Sequence, residues 1–87
     1  MKEPGFALDF GKKTMLKNVM VASEVNGRIE QIRVQVGDEV QAGDVLAVLE
    51  SMKMEIALES PSAGRVLQVL TEVGQVAQEG QNLFELG

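Results

Sequence analysis

From Val19 onward the apolar positions fall into short runs broken by turn residues. Val19 to Ala22 is one such run. Ile32, Val34 and Val36 alternate with Arg33 and Gln35, a period of two that predicts a half-buried strand over 32–36. Val45 to Leu49 is continuously apolar, as expected of a strand covered on both faces. Met54, Ile56 and Leu58 alternate with Glu55, Ala57 and Glu59, and the runs Val66 to Leu70 and Leu83 to Leu86 complete the set. Gly37-Asp38, Gly43-Asp44 and Pro61-Ser62-Ala63-Gly64 supply the turns. Many short strands at close spacing predict an all-β sandwich or flattened barrel. Residues 1–18 carry Pro4, Gly5, Gly11 and a basic cluster without clear periodicity, and are expected to form an N-terminal extension or linker remnant before a domain at 19–87.

The chain also repeats itself at an offset of 37 residues. Gly27-Arg28 matches Gly64-Arg65, Gln31 matches Gln68, and Val36-Gly37 matches Val73-Gly74. Gln41, Gly43, Leu46 and Leu49 match Gln78, Gly80, Leu83 and Leu86. Two copies are too few for a stacked solenoid. They imply a pseudo-two-fold domain whose halves interlock over one core. Each half supplies a strand, a turn at Gly37 or Gly74, a short loop, a turn at Gly43 or Gly80, and a second strand. These glycines are expected to serve positive-φ turns. No Gly-x-Gly-x-x-Gly or Gly-Lys-Ser/Thr phosphate loop is present.

A chain of 87 residues is one small domain that buries only roughly 60% of its unfolded surface. Its aromatic content is 3%, all Phe, so the core is expected to consist of Val, Ile, Leu and Met. The net charge of −5 is uneven. Residues 1–17 hold four lysines against two acids, and the remainder holds four cations against eleven acids. An acidic domain repels phosphate backbones, which argues against nucleic-acid binding and for docking to basic protein surfaces. The absence of Cys and His removes disulfides, thiol nucleophiles and the commonest metal and acid–base ligands. No secretory h-region follows Met1 and no apolar stretch spans a bilayer, so no membrane insertion and a cytoplasmic location are expected.

Lys53 is the only lysine after position 17. It lies in Glu50-Ser51-Met52-Lys53-Met54-Glu55, between the two copies of the repeat. The strands at 45–50 and 54–59 leave almost no residues between them, so the chain must reverse at Met52-Lys53. Tight hairpins prefer Asn-Gly or Asp-Gly at the tip, and Met-Lys is poor turn chemistry. A two-residue tip also sets Glu50 opposite Glu55, an unfavourable like-charge pair. Two local rules broken at one place mark a functional site, and a lone amine there reads as an attachment point. The plain alternative is methionines filling a gap beside a solvated lysine.

The run resembles the attachment motif of biotinyl domains, the biotin carboxyl carrier modules of biotin-dependent carboxylases, commonly Glu-Ala-Met-Lys-Met with the lysine biotinylated. The resemblance covers about residues 19–87 and includes Gly27, Val36-Gly37-Asp38, Gly43-Asp44 and Pro61 with Gly64. It implies a flattened barrel of two four-stranded antiparallel sheets, with biotin covalently held on Lys53 at an exposed turn. It also implies a non-catalytic carrier moving a carboxyl group between biotin carboxylase and carboxyltransferase or decarboxylase sites, after charging by a biotin protein ligase. Met52 and Met54 would contact the ligase and partner sites, while Glu50, Ser51 and Glu55 shape the turn. The chain departs from the pattern at Ser51, where Ala is commonest. It departs again at Glu24-Val25-Asn26-Gly27, where many relatives have Pro-Met-x-Gly. It has no thumb-like insertion between Gly27 and Lys53.

Two other readings compete. Lipoyl carriers share the fold, but typically show Asp-Lys-Ala at the tip. Unmodified lipoyl-like modules of membrane fusion proteins bring helical hairpins or an anchor, neither visible here. An autonomous enzyme is opposed by the lack of a converging base, nucleophile or metal cluster.

Overall fold

The computed structural model describes residues 18–87, and its short apolar runs become eight strands. They are β1 (Val19–Ala22), β2 (Gly27–Ile32), β3 (Glu39–Val40), β4 (Val45–Ser51), β5 (Met54–Glu59), β6 (Gly64–Val69), β7 (Val76–Ala77) and β8 (Asn82–Leu86). Two antiparallel four-stranded sheets form, in the orders β1-β8-β6-β3 and β5-β4-β2-β7. The expected all-β barrel with two-fold internal symmetry is therefore present. The extension expected at 1–18 lies, apart from Asn18, outside the described residues.

The halves interlock by trading their shortest strands. β3 of the first copy pairs with β6 of the second, and β7 of the second pairs with β2 of the first. Hydrogen bonds between the halves repeat at the same offset. The Gly37 N–H donates to the Val66 carbonyl and that of Gly74 to the Ile29 carbonyl, both at 2.8 Å. Ser60 N–H donates to Asp44 O at 2.8 Å, as Ser23 N–H does to Gln81 O at 2.9 Å. Each serine hydroxyl then donates to the carbonyl two residues on, Val25 or Ser62, at 2.6 Å. Ser23 and Ser60 are thus a further matched pair, buried at corners where backbone groups need partners.

Bulges place two successive side chains in the core. The β4–β5 register skips Leu46, and the β1–β8 register skips its equivalent, Leu83. An extra residue rotates the strand locally. As a result Leu46 with Ala47, and Leu83 with Phe84, are all fully buried. Ile29, Leu49, Val66 and Leu86 complete the largest core side chains, each contributing about 1.5–3 kcal/mol through burial. A second pair of bulges falls at Glu30 and Leu67.

Two expectations need correction. The strand expected over 32–36 ends at Ile32, because the chain leaves the sheet for the turn at Gly37. Asp38 Oδ2 accepts the Gln35 N–H at 3.0 Å there, and Val36 faces solvent. The alternation of Ile32, Arg33, Val34 and Gln35 survives as alternating burial without a ladder. The core also differs in composition, since Phe84 is fully buried while Met20, Met52 and Met54 are all exposed. Phe84 follows a bulge, so its inward direction is not readable from a period of two.

Candidate functional site

The hairpin between β4 and β5 closes as its sequence requires. Glu50 pairs with Glu55 and Ser51 with Met54, leaving Met52 and Lys53 as the two turn residues. Both take left-handed backbone angles, φ 53° for Met52 and 65° for Lys53. Two consecutive positive φ values match the right-handed twist of the flanking strands, the geometry usually given to Asn-Gly. The other positive-φ residues of the described chain are Gly37, Gly43, Gly74 and Gly80. For side chains with a Cβ the left-handed region costs roughly 1–2 kcal/mol per residue. The Met52-Lys53 turn is thus the one turn in the described chain that holds residues with a Cβ at positive φ.

The tip is also its most open apolar surface. Met52 is 93% exposed and Met54 64%, and Lys53 stands exposed between them. Among the described residues no carboxylate forms an ion pair with Lys53. The amine is therefore presented to solvent on a long stem, flanked by two flexible and largely exposed thioethers. Those features leave the Lys53 amine open to covalent modification.

Below the tip, the like-charge pair foreseen between Glu50 and Glu55 exists, and the other neighbour of Glu50 relieves it. Arg28 lies opposite Glu50 on β2, and its Nη2 donates to Glu50 Oε1 at 2.9 Å. The bulge at Glu30 brings a second carboxylate over the same guanidinium, Nη2 to Oε2 at 2.8 Å. Glu30, and then Glu50, hold Arg28 above its usual guanidinium range. This exposed cluster orients β4 against β2 and adds little to stability. Glu55 is exposed and enters none of these ion pairs.

Three residues that sequence reasoning gave no role at the site stand under the hairpin. Gly27 lets β2 approach closely, since a Cβ there would lie 2.7 Å from the Glu50 carbonyl oxygen. Asn26 accepts the Ser51 hydroxyl on its backbone carbonyl at 2.7 Å, and the Glu79 N–H on its side-chain oxygen at 2.8 Å. Arg28 and Gly27 were visible as repeat matches, but their partner Glu50 emerges only from the strand register. Nothing in the sequence pattern signalled Asn26, which falls at the variable position of Pro-Met-x-Gly. Among the described residues no group of His, Cys, Asp or Glu is arranged to hold a metal, and no helix is long and apolar enough to cross a membrane.

Known proteins share this arrangement. The sequence profile of the biotin/lipoyl family, described as biotin-requiring enzyme, matches residues 14–86. The chain is similar to a biotin/lipoyl attachment protein of Bacillus subtilis (strain 168), 36% identical over 66 residues, covering 76% of this chain and 90% of that protein. It is 43% identical over 60 residues to the biotinylated protein TB7.3 homologue of Mycobacterium leprae (strain TN), covering 69% of this chain and 84% of that one. Its fold superposes on the crystal structure of Kluyveromyces lactis urea carboxylase with a TM-score of 0.78 and 28% identity, over 82% of this chain and 6% of that much longer one. The chain belongs to the biotin/lipoyl attachment family of biotin-requiring enzymes, as an attachment domain rather than a catalyst.

Proposed function

We propose that Lys53 is the residue that carries biotin, and that the domain ferries a carboxyl group between the sites of a biotin-dependent carboxylase. The observation that carries this reading is the tip itself: one exposed lysine between two exposed methionines on a strained two-residue turn. When bound, biotin supplies the nitrogen that takes up and gives up the carboxyl group. The chain's own contribution is position. The paired β4 and β5 strands hold the backbone of Lys53 rigid, which limits the ordering needed at each docking. The side chain above it supplies reach, and tethering keeps the local concentration of the carried group high at both partner sites.

The partners follow from that role. A biotin protein ligase charges Lys53, with Met52 and Met54 as adaptable contacts. A biotin carboxylase and a carboxyltransferase then meet the same tip in turn. Eleven acids against four cations after residue 17 favour weak, salt-sensitive docking to basic surfaces. Tight docking would slow a carrier that must leave each site.

The test is transfer of label. The biotinylated domain is incubated with a biotin carboxylase, MgATP and radiolabelled bicarbonate, then separated from the enzyme. The reading predicts one acid-labile label per biotinylated chain and none on the Lys53→Arg variant. Equal label on both proteins would overturn it.

A further inference from the structure

One departure from the family's common pattern, Ser51, contacts the segment Glu24-Val25-Asn26-Gly27 that holds the other. Ser51 stands where alanine is commonest, and its hydroxyl donates to the Asn26 carbonyl at 2.7 Å across 25 residues of sequence. Asn26 stands at the variable position of the segment where many relatives have Pro-Met-x-Gly. Its Oδ1 accepts the Glu79 N–H at 2.8 Å. Glu79 lies in the turn of the second half closed by Gln81 N–H to Gln78 O at 2.9 Å and Gln78 N–H to Gln81 Oε1 at 3.0 Å. A continuous path therefore runs from the last residue of β4, through Asn26, to a closed turn in the other half. Alanine at 51 or at 26 would lack the side-chain groups that make it.

The pseudo-two-fold shows that the barrel does not need this path. The position equivalent to Asn26 is Ala63, which has no side-chain acceptor. Gly64, the counterpart of Gly27, simply packs against Gly87, where a Cβ would meet the carbonyl oxygen at 3.2 Å. Among the described residues the side-chain link to the other half's turn is made at Asn26, at the end that bears Lys53, and has no counterpart at Ala63. There it opposes the strain of two left-handed non-glycine residues, Met52 and Lys53.

We propose that Ser51 and Asn26 are positioning residues, which latch the hairpin in the conformation recognised when Lys53 is modified and so set the KM of charging rather than its turnover. The proposal rests on Lys53 as the acceptor. The net worth of one such hydrogen bond corresponds to about a 2- to 10-fold change in the ratio of latched to unlatched hairpin. A binding-competent state that is less populated weakens apparent affinity in proportion.

The experiment compares wild type, Ser51→Ala, Asn26→Ala and Asn26→Asp, the last of which keeps a side-chain oxygen for Glu79. With a biotin protein ligase, biotin and ATP, each alanine variant should raise KM, by up to about 10-fold, with kcat unchanged, and Asn26→Asp should stay near wild type. Amide hydrogen exchange should speed up at residues 51–55 by a similar factor, and not at 64–65 or 86–87 at the end of the barrel that holds Gly64, the counterpart of Gly27. Unchanged hairpin exchange, equal acceleration at both ends, or a fall in kcat at constant KM would overturn the latch. Failure of wild type to accept biotin would instead sink the assignment of Lys53, and the exchange data would still decide whether the latch exists.

Discussion

At the ends of the two long, matched strands the chain does two different things. Beyond Leu86 of β8 the described chain reaches Gly87, which exchanges backbone hydrogen bonds at 2.9 Å with Arg65, while Leu86 itself pairs with Val19 and Val66. Beyond Ser51 of β4 the chain turns straight back through two residues at positive φ. Everywhere else the halves obey one rule. Gly37 and Gly74, then Gly43 and Gly80, take φ values between 88° and 99°, each glycine placed where a Cβ would be strained. The contrast separates scaffold from site. Among the described residues the turns of both copies take glycine at positive φ, and only the lysine turn takes residues with a Cβ there.

If the halves share one core, their equivalent leucines should weigh alike. Leu46→Ala and Leu83→Ala each remove a fully buried side chain at a bulge. Each should lose about 2–5 kcal/mol in urea denaturation. A large inequality would break the symmetry argument.

The glycines under the two ends should differ. A Cβ at Gly27 would sit 2.7 Å from a backbone oxygen, and one at Gly64 would sit 3.2 Å from its nearest neighbour. Gly27→Ala forces the backbone to move and should cost about 1–3 kcal/mol. Gly64→Ala should cost clearly less by the same assay, because a shift of a few tenths of an ångström accommodates it.

Thr71 occupies the position matched by Val34, and its buried Oγ1 finds no hydrogen-bond partner among the described residues. Thr71→Val makes the halves more alike. It should stabilise by about 1 kcal/mol, a rise of roughly 4–8 °C in Tm. A fall in Tm would show that the hydroxyl is satisfied.

Met52→Gly should have the smallest effect on stability and an opposite effect on function. Relief of the left-handed strain, offset by the flexibility of glycine, leaves a gain of about 0.5–1 kcal/mol. Charging by a biotin protein ligase should slow at the same time. Unchanged charging would mean that Met52 is only a turn residue.

Much of this contrast was legible in the sequence. Repeat spacing located the positive-φ glycines, and the absence of linking residues located the hairpin with its Glu50–Glu55 register. What was not legible depends on how the halves meet. β3 and β7 are two residues each, too short to show a period, and exist because each is captured by the opposite copy. Phe84 turned inward because of a bulge, and methionines expected in the core went to the surface, where the tip uses two of them. Arg28, Gly27 and Asn26 are remote from Lys53 in sequence and reach the site only through β2–β4 pairing and side-chain contacts.

The central claim is that the one rule-breaking turn exists to present Lys53 for modification. Its most direct test is peptide-mapped mass spectrometry after exposure to biotin, ATP and a biotin protein ligase, in parallel with lipoate and a lipoate ligase, on wild type and Lys53→Arg. The account predicts a single biotinyl adduct on Lys53 and none on the variant, with the two proteins melting alike. No biotinyl adduct, a lipoyl adduct alone, or biotin elsewhere in the chain would contradict it.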